Sequence, residues 1–113
     1  MALSLQIFFH DPKRNYITHP FSFQDVLRRS WWPLARRLGL PLLQQLECLS
    51  IRDRDQAENL LHELEAVRDA LQNPDGVSIS RDDAAYMLQR ISEVGPLIRG
   101  AVQDWSHVDH LSL

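Results

Sequence analysis

Two stretches in the second half of the chain constrain the fold more than anything else in it. Arg54-Asp55-Gln56-Ala57, then Leu60, Leu61, Leu64, Val67 and Leu71, returns 27 residues later as Arg81-Asp82-Asp83-Ala84, then Met87, Leu88, Ile91, Val94 and Ile98. Apolar residues spaced three and four apart line one face of an α-helix. Each copy opens on a capping residue, Asp53 with Gln56 and Ser80 with Asp83, able to accept a free backbone N–H of the first turn. The spacing predicts helices over about residues 54–72 and 81–105, joined by the turn residues Asn73-Pro74-Asp75-Gly76. Because both present the same stripe, they should pack as an antiparallel pair. Each large stripe side chain contributes about 1.5–3 kcal/mol on burial, before conformational entropy is set against it. Val94-Gly95-Pro96 predicts an interruption with a kink, the helix resuming from Leu97.

The first half is shorter-ranged. Leu3, Leu5, Ile7 and Phe9 alternate with Ser4, Gln6 and Phe8, the period of a half-buried strand, and Asp11-Pro12-Lys13-Arg14-Asn15 is a turn. Ser22-Phe23-Gln24-Asp25 has the form of a capping box and predicts a helix start, with Pro33 ending or kinking the helix near Trp31. Gly39 suits a helix C-cap, and Pro41 opens a short helix over residues 40–46. Cys48-Leu49-Ser50-Ile51 reads as a short strand. His107 to Leu113 alternates like a strand too, and such a strand needs a partner, most simply Leu3–Phe9. The expectation is one α+β domain, residues 1–113, in which helices dominate and a small sheet is built from the two ends of the chain.

Charge is unevenly placed. Residues 1–46 carry six basic against two acidic side chains, residues 47–113 six against thirteen, for a net −3. Such a split implies either a dipolar surface or two halves that face and neutralise each other. No apolar run reaches the roughly 18 residues of a membrane span. The first nine residues lack the basic start and small-residue cleavage site of a secretory leader. Cys48 is the sole cysteine, so no internal disulfide can form, which fits a reducing, cytoplasmic setting.

Chemistry-bearing motifs are sparse. No Gly-x-Ser-x-Gly elbow and no phosphate-cradling glycine loop is present. Cys48, among Leu46, Leu49 and Ile51, reads as a small core residue. Glu63 with Glu65, and Asp82 with Asp83, read as a solvated face and as helix-start charge. His107, Asp109 and His110, with Asp104 upstream, offer metal-ligand chemistry. In a strand, however, His107 and Asp109 share a face and His110 points away, so three ligands need help from His10, His19 or His62. The remaining segment is residues 27–38, where Arg28, Arg29, Trp31, Trp32, Arg36 and Arg37 crowd together. Arginine and tryptophan are the types most enriched at binding hot spots. At least one tryptophan of the pair should pack inward, because helix neighbours point about 100° apart. These arginines either meet a partner or pair internally with Glu58, Glu63 and Glu65.

Three functions are compatible with this sequence. The first is a non-enzymatic protein-binding module without a cofactor, such as a small inhibitor of immunity type, its contact residues being the six just named. Its partner would be another protein, a second copy of the chain included, and not a membrane. The second is nucleic-acid binding through the same segment, against which the net acidity counts. The third is a small metal-dependent enzyme using His107, Asp109 and His110.

Overall fold

The computed structural model describes residues 2–113, without the side chain of Pro74. The alternation at the start produces β1 (Ala2–Phe9), with Leu5 and Ile7 buried. The final alternation produces β4 (Val108–Ser112), which pairs antiparallel with β1 through Ile7↔Leu111 and Phe8↔His110. The chain is therefore an α+β fold in which both ends build the sheet, as expected. Two further strands complete it. β2 (Ile17–Phe23) pairs antiparallel with the outer side of β1, and the two-residue β3 (Ser50–Ile51) pairs antiparallel with β4, giving the order β2-β1-β4-β3. Leu5, Ile7, Phe21, Ile51 and Leu111 turn one face of the sheet into the core.

β2 was not expected. Its Pro20 is tolerated because β2 is an edge strand and Pro20 adjoins the register shift opposite Leu3 and Ser4. Pairing of Ala2 with Phe23 carries that strand through Ser22, so the capping box does not form. The helix starts after Phe23 without a side-chain cap, and the buried Ser22 hydroxyl donates to the Phe23 carbonyl at 2.9 Å.

Pro33 does not end this helix. The segment runs as α1 (Gln24–Val26), a π-helical turn (Leu27–Trp31) and α2 (Trp32–Leu38), with Trp32 N–H donating to the Leu27 carbonyl. A wider turn ahead of the proline relaxes the crowding its ring would cause in a regular α-turn. Gly39, at φ 69°, closes α2 as foreseen: Gly39 N–H bonds Arg36 O and Leu40 N–H bonds Ala35 O, a Schellman pair. Residues 40–46 form turns and a single 3-10 turn, Leu43–Gln45, rather than an α-helix.

The two long helices are α3 (Arg54–Leu71), capped by Asp53 at 2.8 Å from Gln56 N, and α4 (Arg81–Gln103), capped by Ser80 at 3.1 Å from Asp83 N. They pack together, joined by the nine-residue link 72–80 that contains a 3-10 turn, Pro74–Val77. The interruption expected at Gly95-Pro96 is absent and α4 is continuous through both. A helix-interior glycine costs about 1 kcal/mol against alanine and a proline about 3. Burial of Ile91, Val94 and Ile98 offsets this. Pro96 and Ser92 are exposed, so the Ser92 carbonyl that loses its helical donor can be hydrated. Trp105 sits half-buried in a 3-10 turn, Trp105–His107, and not on α4. Cys48 is exposed, which corrects the expectation of a core thiol.

Glu63 is the other departure. It is 7% exposed, and its two carboxylate oxygens accept Leu42 N–H at 3.1 Å and Leu43 N–H at 2.9 Å. α3 thus supplies a cap to the 3-10 turn of another segment. Glu63→Ala should lower unfolding free energy by about 2–3 kcal/mol, the cost of stranding buried backbone donors. Glu58→Ala, which removes only a half-buried side chain's surface pairing with Arg54, should stay within about 0.5 kcal/mol. Urea unfolding of the two variants checks this.

Candidate functional site

The arginine-tryptophan segment is divided by the fold. Trp31 is 1% exposed, its ring 4.9 Å from that of Phe21, so it is a core residue and leaves the set of contact candidates. Trp32 is half-buried and lines a shallow depression of about 270 Å³ with Arg36 and Gln44. Neither indole N–H has an acceptor among the described residues. Both indole nitrogens are closed to solvent, so neither offers a donor to an approaching partner.

The arginines divide as well. Arg29 grips Asp83 with two hydrogen bonds, Nε to Oδ2 and Nη2 to Oδ1, both 2.8 Å. The buried Ser30 hydroxyl donates to Oδ2 at 2.5 Å. Asp83 is itself buried at the start of α4, and its pKa lies below the ordinary 3.8, first because Arg29 donates to the carboxylate. Arg29 is correspondingly raised by the same bond. The expected partners Glu58, Glu63 and Glu65 are not used: Glu58 meets Arg54 at 3.4 Å, Glu65 faces Arg99 at 3.9 Å, and Glu63 caps Leu42 and Leu43. Among the described residues Arg28, Arg36 and Arg37 are exposed with no carboxylate within 4.0 Å. Seven of the eleven arginines do have such a partner, and three of the other four lie in this one segment.

The histidines are separated. His107 lies in the 3-10 turn, 3.3 Å from Asp104. Asp109 is the extra residue of a bulge where the register passes from Phe8↔His110 to Phe9↔Val108. The bulge brings its carboxylate onto His110 Nδ1 at 2.6 Å, with His10 Nδ1 3.4 Å away, so His110 does not point away from Asp109 as plain alternation predicts. The hydrogen bond from His110 lowers the Asp109 pKa. Among the described residues no group of three or more His, Cys, Asp or Glu side chains is placed to hold a metal ion. No helix is long and apolar enough to cross a membrane.

A third cluster was missed from sequence. Phe23, 57% exposed, stacks on Tyr86 with centroids 5.8 Å apart, its N–H donates to the Tyr86 hydroxyl at 3.1 Å, and Arg90 lies over the Tyr86 ring at 5.0 Å. Beside it His19 Nε2 is 2.7 Å from Glu93, whose pKa is lowered mainly by that bond. The signal was the spacing Asp83, Tyr86, Arg90, Glu93 at three and four residues, a polar row on α4. No family model, no curated protein and no solved structure matches the chain.

A carboxylate whose folded pKa is depressed stabilises the fold above its unfolded pKa and loses that contribution as pH falls through the folded value. Stability should therefore decline below about pH 5 and continue to decline through and below 3.8, the ordinary value for Asp83 and Asp109. Asp83→Asn should be less stable than the parent at neutral pH and show a shallower acid decline. Thermal unfolding from pH 3 to 7 checks both.

Proposed function

We propose that this chain is a non-enzymatic protein-binding module that docks an acidic surface of its partner on Trp32, Arg28, Arg36 and Arg37. The observation that carries this reading is that residues 28–37 hold three exposed arginines with no carboxylate within 4.0 Å among the described residues, one of which, Arg36, shares a depression with the half-buried Trp32. Arginine forks match carboxylates, and an amphipathic ring supplies area at little conformational cost. Arg29 and Trp31, named with them from the sequence, hold the helix in place instead. An inhibitor of immunity type, working by occupancy alone in the cytoplasm, is the narrower form of the proposal. The single cysteine fits that setting.

The test is capture of a partner from the native host with and without nuclease, then affinity measurement on the purified pair. Arg36→Glu with Arg37→Glu should weaken binding at least tenfold, mostly through slower association, and raising salt should weaken the parent complex. Trp31→Ala is unsuitable because it opens the core; Trp32→Ala is the aromatic variant to use. A partner held with undiminished affinity by the double variant removes this site. Binding lost on nuclease treatment moves the reading to nucleic acid.

A further inference from the structure

Between α3 and α4 lies a cavity of about 250 Å³. Leu61 and Leu64 from one helix and Leu88, Ile91 and Pro96 from the other give it an apolar lining. Gly95 is part of that lining, and a Cβ added there would meet nothing within 4 Å. The packing of this chain therefore does not require glycine at that position, although glycine weakens a helix. What it leaves is volume.

The rim is charged. Arg68, Arg99 and Glu65 line the opening, for a net single positive charge. Arg99 Nη2 is 3.9 Å from Glu65 Oε1, and Arg68 Nε is 3.9 Å from Asp69 Oδ1. Both distances exceed hydrogen-bond reach, so both guanidinium forks keep donors free. The second depression, between α4 and the sheet, differs in this respect: Arg14 and Asp104 on its rim close on each other at 3.0 Å.

We infer that the α3–α4 cavity binds a small amphiphilic monocarboxylate, its chain on the leucines and its head between Arg68 and Arg99. A cavity of about 150 Å³ accommodates benzene. Scaled to the volume here, the ligand has roughly ten heavy atoms, the size of octanoate. Glu65 on the rim disfavours a dianionic head and selects a single charge. This site is separate from the Trp32 surface, and either can fail without the other.

The probe is sodium octanoate titrated into the 15N-labelled chain, with 1-octanol and octylamine as parallel arms. Expected are saturable amide shifts around Leu64, Arg68 and Gly95, and at least tenfold weaker binding of octylamine. Gly95→Leu should abolish octanoate binding while thermal stability is kept or raised, because the new side chain fills open space on a helix. Arg68→Gln with Arg99→Gln should reduce octanoate to the level of octanol. Shifts that never saturate overturn the proposal. So do shifts centred on Leu97 and Gly100, or octanoate binding unchanged in Gly95→Leu.

Discussion

The helical segment that carries the candidate site is oriented by one carboxylate. Asp83 opens α4, and through Arg29 and Ser30 it fixes the π-helical turn against that helix. The turn has little to stabilise it locally: no side chain caps its start, and a proline follows directly. Fixing Ser30 also fixes the phase of the residues around it, sending Leu27 and Trp31 into the core beneath β2. The same phase leaves Arg28, Arg36 and Arg37 outside. Only the Asp83 side of this pair is buried; the pair acts as a locator because the buried carboxylate is costly to strand, while the exposed Arg29 can be hydrated.

Glu63 does for residues 42–45 what Asp83 does for residues 27–31. Both carboxylates come from the acidic part of the chain and act on the basic part. Arg14 with Asp104 and His19 with Glu93 repeat the arrangement at the surface. The charge split in the sequence is thus partly internal complementarity between halves. What internal pairing leaves over is concentrated: of the four arginines without a carboxylate within 4.0 Å among the described residues, Arg28, Arg36 and Arg37 share one segment, and Arg52 lies apart. A dipolar surface and a self-neutralising fold are both present, in different regions.

The long-range periodicities were legible. The stripes of α3 and α4, their caps at Asp53 and Ser80, the αL cap at Gly39 and the pairing of the two ends all follow from spacing alone. What was illegible depended on tertiary contacts. Ser22 looks like a cap until β1 recruits it into a strand. Glu63 and Asp83 look solvated because carboxylates usually are, though each sits three or four residues from stripe positions, which was the available clue. For the site, the segment was identifiable but its division was not. Which tryptophan packs inward is set by the π turn, and which arginine is committed is set by Asp83, 54 positions away in sequence.

Gly95-Pro96 marks where local rules and the final structure disagree most. Sequence logic ends a helix there, and the fold continues it at a cost that burial of Ile91, Val94 and Ile98 must offset. A chain selected for stability alone gains by replacing Gly95, since the space beside it is open and the backbone is helical. Features that break a local rule without an internal gain tend to serve something outside the chain. In this molecule the feature stands over an apolar cavity ringed by unsaturated arginine donors. The glycine in the helix, the open volume beside it and the cationic rim are the features that the proposed monocarboxylate would use.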